Sequence, residues 1–167
     1  MKKKQDVSVL QTNGSGVLSF ASVSASAGQV IQVVSATDET ERSSTSSSFV
    51  TASNTLSVTI TPSSASNKIF LIHNGYIGNT SANDTETFGT IFRGATDLGA
   101  SSNKGLAVQN QDSGNLRTSM GGMSFLDSPS TTSATTYQVY VRQATGGTVK
   151  LNSSNSKGSL TAMEIKG

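Results

Sequence analysis

The chain has 167 residues, of which 13% are charged, a formal charge of +2 and no cysteine. That length suits one ordinary domain rather than two. The near-neutral balance excludes a basic nucleic-acid-binding stripe, and without cysteine there is no disulfide or thiolate metal site.

Ser and Thr stand where the missing charges would be, at roughly three residues in ten. Leu, Ile, Val and Phe together reach about 22%, close to the level at which chains lose their core. Disorder also needs a high net charge, which is absent here. The apolar residues gather in alternating runs, which predicts a thin β core. A hydroxyl-rich, weakly charged surface does little to stop strand edges from pairing, so the composition points to an assembly that covers them.

In chain order, residues 1–28 differ from the rest. Met1-Lys2-Lys3-Lys4 could open a signal peptide, but Gln5-Asp6-Val7-Ser8 stands where an apolar stretch should follow. Classical secretion is therefore not the expected route, and no run reaches the ~20 apolar residues of a membrane-spanning helix. Val7, Val9 and Leu10, then Val17, Leu18 and Phe20, form two small apolar groups around Asn13-Gly14-Ser15-Gly16. These are too few to build a core, and residues 22–28 read as a flexible linker. The segment is read as a docking arm carried by Lys2, Lys3, Lys4, Val7, Val9, Leu10, Val17, Leu18 and Phe20.

From Gly28 onward strand candidates arrive steadily. The first is Val30-Ile31-Gln32-Val33-Val34, followed after a polar stretch by Phe49-Val50. Leu56-Ser57-Val58-Thr59-Ile60 alternates and stops at Pro62, which cannot extend a central ladder. Lys68-Ile69-Phe70-Leu71-Ile72 is apolar on both faces and reads as the most buried strand. Residues 88–93, 106–108 and 120–126 follow. Tyr137, Val139 and Val141 share one side of a period-two pattern, and Gly146-Gly147 then leads to Val149 and Leu151. This reads as a β-hairpin behind a long Ser/Thr loop. Residues 160–165 close the chain. No helical period with caps occurs. The expected fold is all-β: a jelly-roll-like antiparallel β-sandwich over residues 29–167, with residues 1–28 as an extended arm.

Candidate chemistry is sparse. His73 is the only histidine, ahead of the turn-like Asn74-Gly75, and reads as a hydrogen-bonded histidine at a strand end. Asp38, Glu39 and Glu41 form one acidic group and Asp84 with Glu86 another, without the Asp-x-Asp-x-Asp-Gly spacing of a calcium loop. They read as solvated loop charges. A paired-carboxylate glycosidase needs two acids flanking a sugar bond, but the acids are few and there is no Trp to stack sugars. No catalytic residue, metal ligand or cofactor is expected.

Three phrases carry a family likeness. They are Thr61-Pro62-Ser63-Ser64-Ala65-Ser66-Asn67-Lys68-Ile69, then Leu126-Asp127-Ser128-Pro129 leading through Ser133-Ala134-Thr135-Thr136-Tyr137, and the ending Leu160-Thr161-Ala162-Met163-Glu164-Ile165. Together they resemble the jelly-roll domains of virion appendage proteins of tailed phages, especially marine ones. Residues 10–20 are similar to the segment that precedes this domain in longer tail fibres, although this chain has no shaft between arm and head.

The resemblance implies a non-enzymatic, homotrimeric component exposed on the virion and made in the host cytoplasm. It would be a short fibre or a capsid decoration, docked on other virion proteins by its arm. Loops pointing outward would meet a host-surface glycan or protein. The candidate loop residues are Asn79, Asn83, Asp84, Glu86, Asn103, Lys104, Asn110, Asp112, Arg117, Asp127, Ser130 and Thr132. Neither nucleic acid nor membrane insertion is expected. The alternative is a carbohydrate-binding module or a glycan-cleaving appendage enzyme, which would need convergent acids or stacked aromatics in a cleft.

Overall fold

A computed structural model describes residues 8–12, 14–22, 25–79, 86–99, 104–110, 120–144 and 146–167. The body is an all-β, jelly-roll-like sandwich of two antiparallel sheets. Ahead of it stands a separate two-stranded sheet of β1 (Ser8–Thr12) and β2 (Leu18–Ser22).

The first body sheet contains β3 (Val30–Asp38), β4 (Arg42–Ser44), β6 (Lys68–Asn79), β10 (Met120–Asp127), β12 (Val149–Leu151) and β13 (Gly158–Ile165). β6 is its axis. β13 and then β12 pair with it, β10 also pairs with it, β3 lies outside β13, and β4 lies outside β12. The second sheet contains β5 (Ser57–Ile60), β7 (Glu86–Arg93), β8 (Thr96–Asp97), β9 (Ala107–Asn110) and β11 (Thr135–Gln143). β11 lies between β5 and β7, and both β8 and β9 pair with β7. Among the described residues the sole helical turn is a 3-10 segment, Ser153–Asn155.

Period-two alternation explains the core. Ile69, Leu71, Leu160, Ala162, Val149 and Leu151 point inward from the first sheet. Val58, Ile60, Ile91, Tyr137, Val139 and Val141 meet them from the second. Most of these side chains have no exposed surface at all, as burial between facing sheets requires.

Two expectations need correction. β11 and β12 are not a hairpin: β11 pairs with β5 and β7, whereas β12 pairs with β4 and β6 in the opposite sheet. The Gly146 region, with φ +68° at Gly146, carries the chain across the sandwich. Alternation shows that Val141 and Val149 face one core, and strands that face each other satisfy that as well as strands that pair. The second correction concerns His73-Asn74-Gly75, which is no turn. β6 runs through it to Asn79. Gly75 is there for close approach, since a Cβ would lie 3.0 Å from the Gly158 Cα. His73 is accordingly a buried mid-strand residue, 1% exposed. Residues 49–50 form only an isolated bridge, Val50 to Val141, and β4 was not anticipated.

Candidate functional site

The arm residues that can be placed form an amphipathic hairpin. Register sets Leu10 opposite Phe20 and Thr12 opposite Leu18, which puts Leu10, Leu18 and Phe20 on one face. All three are exposed, Phe20 by 78%. Val9 and Val17 are exposed as well. Lys2, Lys3, Lys4 and Val7 lie outside the described residues.

The loop candidates are scattered. Ser130 and Thr132 lie on the exposed stretch between β10 and β11. Glu86 begins β7 and sits 3.9 Å from Lys104, and Asn110 ends β9. Asn83, Asp84, Asn103, Asp112 and Arg117 lie outside the described residues. Two candidates are not exposed: Asn79 is 3% and Asp127 5% accessible. Asn79 ends β6 where β12 pairs with it. Asp127 accepts hydrogen bonds from Arg93 Nη1 at 2.8 and 2.9 Å and from the Tyr137 hydroxyl at 2.7 Å. It joins the two sheets at one end of the sandwich.

Four other described acids have partners as well. Glu164, 1% exposed, accepts from the Ser63 amide (2.6 Å) and hydroxyl (2.8 Å), from Asn67 Nδ2 (2.6 Å) and from Gln32 Nε2 (2.9 Å). Burial opposes its ionisation, but these donors outweigh burial and hold its carboxyl below the usual range. Asp38 follows the same pattern. Burial is offset by the Thr55 and Thr40 amides and by Arg42, and its pKa is lowered. Glu41 is held 2.6 Å from Lys150, and Glu39 2.8 Å from Lys157. The group read as solvated loop charge thus ties residues 38–42 to β12 and to the turn after it. Among the described residues no group of three or more His, Cys, Asp or Glu is placed to hold a metal.

The outer faces of the two sheets differ. On the second sheet Arg142 lies 4.0 Å over the Phe88 ring, Phe92 stacks on Tyr140 at 4.1 Å, and Phe49 meets Phe92 edge-on. Those rings are taken up by one another. Thr90, also on this face, is bonded to Asp97 of the segment crossing it. Val108, Thr59 and Thr136 remain exposed on this face.

The first sheet carries an apolar row. Pairing puts Val33 beside Met163, Met163 beside Phe70, and Phe70 beside Leu126, straight across β3, β13, β6 and β10. Val33 is 56% and Leu126 49% exposed, and Phe70 and Met163 are half-buried. The next row is Ser35, Thr161, Ile72 and Ser124, and the one after it Thr37, Ser159, Asn74 and Gly122. A shallow open depression of about 320 Å³ lies here, lined by Ile72, His73, Asn74, Gly122, Met123 and Ser124. Sequence reasoning did not single out this face. Its signal was the two-sided apolar pattern of residues 69–72, taken as burial on both sides.

No family model matches the chain, and no curated protein matches it in sequence. Similar solved structures include an infectious bursal disease virus VP2 subviral particle, at 12% identity and TM-score 0.42 over 94% of this chain and 42% of that one. The infectious bursal disease virus Gt strain gives 10% identity and TM-score 0.41 over 97% and 43%. Infectious bursal virus derived T=1 particles give 12% and 0.43 over 94% and 40%. The chain spans about two fifths of the length of those proteins. Likeness at this level bears on neither function nor partners.

Proposed function

We propose that this chain is a non-enzymatic structural component of a tailed-phage virion. It docks by residues 1–28 and displays the jelly-roll body on the particle as a homotrimer, either as a short fibre or as a capsid decoration. The exposed loops, residues 128–134 among them, would then face a host-surface glycan or protein. The sequence likeness supplies the virion setting. The observation that carries the docking role is the hairpin of β1 and β2, whose Leu10, Leu18 and Phe20 form one exposed apolar face. An isolated two-stranded hairpin is marginal in water, so such an element gains its stability from whatever it lies against.

Phage particles assembled with a Leu10→Ser, Phe20→Ser variant should lose the protein on gradient sedimentation, and removal of residues 2–20 should do the same. Retention of both on particles would overturn the docking role. Copy number per particle distinguishes the two placements, with dozens or more for a decoration and a few trimers for a fibre.

A further inference from the structure

We infer that the end of the sandwich bearing the arm lies against the particle, and that host contact belongs to the opposite end. The inference rests on the docking reading and revises one part of it, since it takes residues 128–134 off the host side. Connectivity, reach and charge carry it.

Register assigns the loops to two ends. β3 starts at Val30 and β6 at Lys68 on the end where β13 stops at Ile165 and β10 at Asp127. The second sheet joins them there, because Arg93 and Tyr137 both bind Asp127, and Thr135 of β11 stands opposite Ile60 of β5. The turn of residues 61–67, residues 94–95 and the stretch 128–134 therefore share this end. Asp38 of β3, Asn79 of β6, Glu86 of β7 and Gly158 of β13 lie at the other, with residues 39–41 and 152–157. The loop candidates thus point in opposite directions, Ser130 and Thr132 one way and Asn79, Glu86 and Asn110 the other. A docked body offers only one of these ends to a host.

The arm is rooted at the first end. The Gly28 amide donates to the Lys166 carbonyl at 2.8 Å, and the Lys166 amide donates to the Gln29 carbonyl at 2.9 Å. The Gly167 amide donates to Asn67 Oδ1 at 3.1 Å, which ties this root to the 61–67 turn. β2 ends at Ser22, and the residues from there to Gly28 span at most about 22 Å. β6 has 12 residues, so the body is roughly 40 Å long at ~3.4 Å per residue. A hairpin seated on a particle therefore keeps the first end close to that seat and cannot reach the second.

Charge follows the same division. The exposed side chains of residues 61–67, 94–95 and 128–134 are Ser, Thr and Ala, and none is charged. Lys68 and Lys166 stand beside them. At the opposite end Glu39, Glu41 and Lys157 are exposed, Glu39 paired with Lys157 and Glu41 with Lys150. Surfaces that become covered are depleted in charge, which is retained where water stays.

The chain has no cysteine, so single cysteines report each end separately. Ser66→Cys and Ser130→Cys mark the arm end, and Thr40→Cys and Ser156→Cys the other, all at exposed positions. Each full-length variant is treated with a bulky polyethylene-glycol maleimide, free in solution and on assembled particles, and the gel shift of this chain is read. Two positions at each end keep the test decisive where one variant misfolds. The expected result is a shift for all four proteins when free. On particles the shift is lost for Ser66→Cys and Ser130→Cys and kept for Thr40→Cys and Ser156→Cys. Equal labelling of both ends on particles, or protection of Thr40→Cys and Ser156→Cys, would overturn this orientation while leaving arm docking intact. Particles that retain the protein after removal of residues 2–20 would overturn docking itself, and the orientation with it.

Discussion

Single residues hold the phrases of the family likeness in place. Glu164, in the closing phrase, binds Ser63 and Asn67 of the first phrase. Asp127 is bound by Tyr137, both from the second phrase. These residues fix loops to strands and do not mark an active site. Removing the phenol should therefore cost stability. Tyr137→Phe deletes a buried hydrogen bond to a charged acceptor and is expected to cost about 2 kcal/mol, which for a chain this long lowers the melting temperature by roughly 6 °C. A thermal melt checks it. For Glu164 the effect depends on pH. Its carboxyl ionises more readily in the folded state, so its contribution is fully present above the unfolded value of ~4.3 and is lost as pH falls through the lower folded value. Glu164→Gln turns an acceptor into a donor facing Ser63, Asn67 and Gln32, at a cost of about 3 kcal/mol near neutrality. Denaturant unfolding over the acid range should show its deficit against the parent narrowing as pH falls. A constant deficit would remove the carboxylate as the cause.

At the scale of elements, strand positions were legible and strand partners were not. Leu56, Val58 and Ile60 were read inward, and all three are buried. Residues 30–38, 68–79 and 158–165 begin or end close to where the alternation placed them. The supposed pairing of β11 with β12 failed because period two reports which side chains share a face and carries no information on which backbone lies alongside. β4 was missed because Arg42-Ser43-Ser44 has no apolar residue, and its strand state comes from pairing with β12. The arm shows the same division. Its apolar groups were visible in the sequence, whereas the register that sets Leu10 against Phe20 came from the fold. The Leu10→Ser, Phe20→Ser experiment tests that face at this scale.

For the whole molecule, the two sheets bury one face each against the other, and exposed side chains remain on both outer faces, Val33 and Leu126 on the first and Val108 and Thr136 on the second. A folded state that binds copies of itself gains stability by mass action. On the proposed homotrimer the melting temperature should consequently rise with protein concentration. Calorimetry across serial dilutions measures it. A parent melting temperature that is flat with concentration would indicate that the folded unit is complete alone.

The sequence by itself determined an all-β body, its inward-facing residues and a leading segment with too few apolar residues to hold a core. Those properties are local, set by alternation, turn residues and the count of apolar side chains. Only the tertiary structure decided that Asp127, Asn79 and His73 are buried, that β11 and β12 belong to opposite sheets, and that Phe70 and Ile72 look outward. Each of these depends on what lies across from a residue, and residues far apart in the chain supply it. The apolar pattern of residues 69–72 demanded cover on both faces, and the fold supplies it on one.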